Sequence, residues 1–186
     1  MNTAPHRLPP LDGNTLSDAQ RQAVQRIVSG PRGQLSSPFA VLLRDPELMD
    51  RVQNLGEYLR YGGALPQRLK EFGILVTASH WRQGYEWYVH APLAQQAGVS
   101  PLTLATLPAG RPADMQADET VVYDFCTQLH LNRAVDDAVY ERALQLLGEP
   151  GVVALTALCG YYALLAMTMN VAGTALPPGY TSPFAR

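Results

Sequence analysis

The sequence predicts an all-α fold from three observations. Apolar residues recur at three- and four-residue spacing, helix start and stop signals come in pairs, and no long alternation of apolar and polar residues occurs. The expected architecture is one all-helical domain over residues 16–186, preceded by an extended N-terminal arm at residues 1–15. With 186 residues, 47% of them hydrophobic, the chain can bury a sizeable core and falls in the ordinary globular range.

The arm is punctuated by Pro5, Pro9, Pro10 and Gly13. A first helix starts at Ser17, where Gln20 completes a capping box and Leu16 is placed for a staple; Gly30-Pro31 ends it. The stretch GPRGQLSSPF reads as loop. Asp45-Pro46 opens a second helix, whose expected apolar stripe is Leu48, Val52, Leu55 and Leu59, and Gly62-Gly63 closes it. Pro66 opens a third, with Leu69, Phe72, Leu75 and Val76 inward. A fourth runs from near Gln83 to Gly98, and Ser100-Pro101 caps a further turn. Residues 108–118, PAGRPADMQAD, are the expected hinge or linker. Val122, Phe125 and Cys126 mark a fifth helix, Asp136 caps a sixth that stops at Gly148, and an uncharged helix from Pro150 follows.

Composition excludes several classes. The formal net charge is −2 and Lys and Arg are scattered, so no basic stripe exists to neutralise phosphates and no nucleic-acid partner is expected. The first residues lack an apolar h-region, so no secretory signal is expected and the localisation read is cytoplasmic. Val152–Gly173 is long enough to span a bilayer, but Thr156, Gly160, Asn170 and the absence of flanking Lys or Arg favour a buried helix, with no membrane partner. Cys126 and Cys159 match no zinc or redox spacing and read as small apolar groups.

The chemistry concentrates in residues 65–98. Glu86 and His90 are four apart and share one helix face. Glu71 sits amid Leu69, Phe72, Ile74 and Leu75, where a carboxylate must find a partner or take up a proton. On one straight helix, Glu71 and Glu86 would stand about 22 Å apart. They meet only if the chain turns back at Arg82-Gln83-Gly84, which would also put Glu86 near a helix N-terminus. Two carboxyl groups and an imidazole can divide acid and base roles. Tyr85, Trp81, His80 and Gln83 are the candidate substrate-binding residues around them, as aromatic walls with few polar groups suit a small ligand. The competing structural reading is a solvated Glu–His pair, a capping Glu71 and ordinary aromatic packing. A metal on His80, Glu86 and His90 lacks any HExxH or CxxC spacing, so no metal site is expected.

From Glu71 through Ser100 the sequence resembles the carboxymuconolactone decarboxylase family of the alkylhydroperoxidase D-like superfamily. The resemblance rests on Glu71, Gln83-x-x-Glu86-x-x-x-His90, Ala94 and Ala97-Gly98-Val99-Ser100. Peroxidase members carry Cys-x-x-Cys-x-x-x-His at that spacing; here Gln83 and Glu86 stand at the two cysteine positions, as in a longer subgroup lacking the CxxC motif. The resemblance implies an alkylhydroperoxidase D-like helical bundle without a cofactor, a homo-oligomer (trimer or hexamer) whose core takes in the uncharged helix. It also implies Glu71, Glu86 and His90 as proton-handling residues of a lyase acting on a small lactone or oxo acid, as in aromatic catabolism. In that reading His90 is general acid, Glu86 its orienting partner or alternate base, and Glu71 a buried relay. The alternatives are a peroxiredoxin-like antioxidant activity, which would need a reactive thiol, and a non-catalytic helical oligomer that binds a small metabolite.

Overall fold

The computed structural model describes residues 6–184. It is all-α, with no strand among the described residues. Contacts group the chain into two compact units: one runs to Gly62 and takes in Leu164–Ala175, the other comprises Gly63–Ala163 and continues from Leu176.

The first unit holds α1 (Asp18–Ser29), α2 (Ser37–Leu42) and α3 (Pro46–Tyr61). The capping box at Ser17 and Gln20 forms as the sequence predicts, and Asp45 Oδ1 accepts from the Leu48 N–H at 3.0 Å to start α3. Helix α2 corrects the loop expected there. Its N-cap makes no side-chain bond, and burial of Phe39, Val41 and Leu42 holds it instead. The α3 stripe is corrected too: Leu48 and Leu55 are 45% and 49% exposed, because the buried face is rotated onto Met49, Val52, Gln53, Gly56 and Leu59. Of the predicted extended arm, residues 1–5 lie outside the described residues. Residues 13–15 form a 3-10 turn capped by Asp12, and the Arg7 N–H donates to Ala172 O at 2.8 Å.

The second unit is built around α4 (Gln67–His80), which is buried continuously from Leu69 to Ala78. It packs against α5 (Gly84–Gln96) and α7 (Ala117–Asn132). An added Cβ on Gly73 would stand 3.2 Å from Leu155 Cδ1, so the missing side chain lets the last helix approach α4 closely. Short helix α6 (Pro101–Thr106) is capped by Ser100 Oγ, which accepts from Leu102 N at 3.1 Å. The predicted hinge at 108–118 is no boundary. It lies within this unit, tied by Ser100 Oγ donating to Asp114 Oδ2 at 2.6 Å and by an Arg111–Asp124 ion pair at 2.6 Å. Arg68 bridges α4 to Asp118 and Glu119 on α7 at 2.5 and 2.6 Å.

Helix α8 (Asp137–Ala172) is broken at Gly148, whose φ of 67° leaves the helical region where the sequence predicts a stop. Beyond the break, Leu155, Leu158, Cys159, Tyr161, Tyr162, Leu165 and Ala166 are buried. That burial makes α8 a core helix, although its length and composition alone would allow a membrane span.

Candidate acid-base site

The sequence places Glu71 mid-helix on α4 and Glu86 with His90 on α5, and a tight turn brings them together. Trp81 ends α4, Arg82 takes a left-handed φ of 50°, and Gln83 caps α5 by accepting from the Tyr85 N–H at 2.8 Å. The chain therefore reverses at the predicted Arg82-Gln83-Gly84 step, and Glu86 falls in the first turn of α5.

The three side chains are almost completely buried: Glu71 1%, Glu86 3% and His90 2% exposed. His90 Nδ1 is 2.7 Å from Glu71 Oε2, and its Nε2 is 3.4 Å from Glu86 Oε2. The other Glu71 oxygen, Oε1, accepts from Gln67 Nε2 at 2.7 Å, so both oxygens of that carboxylate are engaged. Glu86 differs, since its buried Oε1 has no hydrogen-bond partner in the protein. Tyr162 presses its ring edge-on against His90, with centroids 5.1 Å apart.

Electrostatics follow from this geometry. Burial alone would lower the His90 pKa, but hydrogen bonds to Glu71 and Glu86, and then their charges, outweigh it and raise the pKa above its ordinary 6.5. The two carboxylates thus work in favour of the charged ring, against its burial. Such an array can pass a proton between an imidazole nitrogen and a carboxylate without any bond to a metal. Among the described residues no group of three or more His, Cys, Asp or Glu is arranged to hold a metal ion.

The residues expected to bind substrate divide differently. Gln83 spends its side-chain oxygen on capping α5. His80 and Trp81 close α4 with their rings edge to face at 5.8 Å, and His80 stacks on His130 at 4.8 Å. Tyr85 tilts toward Tyr88 at 6.3 Å. An apolar groove of about 500 Å³ does exist, lined by Trp87, Tyr88, Ala91, Pro92, Gln95, Leu104, Tyr180 and others. Those α5 residues lie on the helix face opposite Glu86 and His90, so this groove is no mouth of the acid-base site. Sequence reasoning missed Gln67 and Tyr162. Gln67 was findable, four residues before Glu71 on one helix face; Tyr162, far along the chain, gave no signal.

A buried, thiol-free Glu–His–Glu array on a helical hairpin is the class of site defined here. Residues 46–115, which contain all three residues, match the model of the Carboxymuconolactone decarboxylase family. The fold is similar to that of two solved structures. One is the alkylhydroperoxidase AhpD core of an uncharacterized peroxidase-related protein from Ralstonia eutropha JMP134, with 20% identity, 90% of each chain covered and a TM-score of 0.69. The other is an uncharacterized peroxidase-related protein from Silicibacter sp. TM1040, with 16% identity, 93% of this chain and 91% of that chain covered, and a TM-score of 0.70. No curated protein matches the chain. The matched segment is thus similar to the carboxymuconolactone decarboxylase family, and the fold is similar to that of the alkylhydroperoxidase D core.

Proposed function

We propose that the chain is a cofactor-independent lyase, decarboxylating or shifting a proton on a small lactone or oxo acid. The observation that carries the reading is His90, held at Nδ1 by a fully engaged Glu71 while Nε2 faces Glu86 and its unpartnered Oε1. In such a reaction the substrate carboxylate leaves as carbon dioxide and its electron pair delocalises into the carbonyl. A proton must then reach carbon. His90 Nε2 and Glu86 deliver it, and solvent later restores it. Of the roles expected from the sequence, the geometry supports Glu86 as the alternate base that shares the moving proton, and moves the orienting role to Glu71.

Thiol chemistry forms no part of this site, because Gln83 and Glu86 stand where the peroxidases carry cysteines. Assembly into a homo-oligomer belongs to the reading as well. It is supported by an exposed, uncharged stripe at helical spacing on the end of α8, with Leu164 36%, Met167 43% and Val171 63% exposed. Sedimentation of wild type and of a Met167→Glu/Val171→Glu variant tests it, with dissociation expected in the variant.

The deciding experiment is a mass-spectrometric screen of purified protein against carboxylated lactones and oxo acids, run beside His90→Ala. Product formed by wild type and lost in the variant supports the reading. Equal conversion by both refutes it, and a ligand that raises the melting temperature without being consumed points to a binding protein.

A further inference from the structure

We propose that Cys126 and Cys159 form a redox-active dithiol, separate from the Glu71–Glu86–His90 site, that a small hydroperoxide converts to a disulfide. The sulfurs face one another across α7 and α8, with Sγ atoms 3.4 Å apart. Closing a disulfide brings them roughly 1.4 Å nearer, within reach of side-chain rotation. Neither cysteine lies in the 46–115 family segment, so the pair owes nothing to the position where peroxidase members carry their thiols.

What surrounds the pair is polar and connected to the surface. Thr77 Oγ1 donates to Gly73 O at 3.0 Å, which leaves the His130 Nε2–H as donor to Thr77 Oγ1, also at 3.0 Å. Both Thr77 and His130 adjoin the Cys159 sulfur. The His130 ring stacks on His80 at 4.8 Å with 15° between planes, and His80 is exposed at the end of α4. A thiol, an imidazole and a second imidazole therefore run from the buried sulfur to solvent. Plain core packing of two cysteines does not call for that row.

The two sulfurs are not equivalent. The contact between the two sulfurs draws the Cys159 thiol down, against burial and with help from nearby His130, to about 6; the same contact pushes Cys126 well above its ordinary value. Cys159, the sulfur that adjoins Thr77 and His130, is assigned as the nucleophile and Cys126 as the resolving thiol. The Cys159 thiolate attacks one peroxide oxygen, the O–O bond breaks, and the leaving oxygen takes a proton through His130 to depart as alcohol or water. Cys126 sulfur then attacks Cys159 Sγ. The S–S bond forms as S–O breaks, and hydroxide leaves with the Cys126 proton as water. The sulfur pair loses two electrons and the peroxide gains them; an external thiol reverses the change. Both cysteines are 0–1% exposed, so hydrogen peroxide, the smallest such oxidant, is the probe.

The test treats reduced wild-type protein with hydrogen peroxide, counts free thiols after denaturation, and maps the tryptic digest, in which Arg133 and Arg142 place the two cysteines in different peptides. Loss of both thiols, a Cys126–Cys159 linked peptide and full recovery with dithiothreitol are expected. Two thiols persisting, or oxygen added to one cysteine without a link, overturns the proposal. In Cys126→Ser the link is lost and dimedone traps Cys159; trapping of Cys126 at an equal rate in Cys159→Ser overturns the assignment of nucleophile. The wild-type measurement stands even if a variant fails to fold. Decarboxylation by a double Cys→Ser variant separates this pair from the proposed lyase site.

Discussion

His90 Nδ1 and Glu71 Oε2, 2.7 Å apart and both buried, form the contact that fixes the orientation of the imidazole. Gln67 holds the other oxygen of Glu71, so the carboxylate cannot rotate away, and His90 Nε2 is left aimed at Glu86. Glu71→Gln keeps an acceptor for Nδ1–H but removes the charge that favours the imidazolium. Its turnover is expected to fall by about 10²–10⁴, the range general acid–base groups supply. His90→Ala should fall as far, and the double variant little further, because residues acting as a unit are not additive. Circular dichroism should remain that of wild type, and Glu71→Gln turning over at the wild-type rate would contradict this arrangement.

The raised His90 pKa has a consequence for stability. A histidine whose folded pKa exceeds its unfolded 6.5 contributes stability that is complete below 6.5 and is lost as pH climbs through the higher folded value. The groups acting on it are Glu71 from α4, Glu86 from its own helix and the Tyr162 ring edge from α8. The melting-temperature difference between wild type and His90→Gln should therefore be largest in acid and shrink above pH 6.5. A difference that grows with rising pH would show that burial, which lowers this pKa, outweighs the carboxylates.

Much of this fold was legible because its signals are local. The caps at Ser17, Asp45 and Ser100 close hydrogen bonds within three residues, and such contacts are written directly in the sequence. Helix α2 was not legible, since six residues without a side-chain cap are helical only through the burial of Phe39, Val41 and Leu42. The α3 face was misjudged because Gln53 and Gly56, neither apolar by type, point inward. The meeting of Glu71 with Glu86 and His90 could be read from spacing plus one predicted turn. The Tyr162 contact and the facing of Cys126 and Cys159 depend on how distant helices pack, and no local pattern encodes that.

Arg68 provides a test of what joins α4 to α7. Its guanidinium meets Asp118 and the fully buried Glu119, whose second oxygen accepts from the Gln116 N–H at 2.9 Å. Replacing Arg68 with Met leaves Glu119 buried without its cation. Breaking a buried pair costs about 3–5 kcal/mol, and partial exposure of Arg68 and Asp118 reduces this to about 2–3. Urea unfolding should show that loss. The Arg68→Met/Glu119→Gln double variant should recover part of it; a double variant weaker than the sum of the singles would contradict the pairing.

Gly84 tests the seat of the C-terminal segment on α5. A Cβ there would stand 2.8 Å from Ser182 Oγ and 3.1 Å from both Ser182 Cβ and Leu176 Cδ2. Along the same helix, Trp87 meets Phe184 edge-on at 5.3 Å and Tyr88 meets Tyr180 at 4.9 Å, so the segment is held by two aromatic contacts beside a close backbone approach. Gly84→Ala gains at most about 1 kcal/mol of helix propensity. Overpacking costs about 1–3 kcal/mol, so net destabilisation is expected. Ser182→Gly removes two of the three close atoms and leaves only the flexible end of Leu176, which can shift. The double variant should then melt closer to wild type than Gly84→Ala does, with Trp87 fluorescence restored. Strictly additive effects of the two changes would mean that Ser182 does not rest on Gly84 in solution.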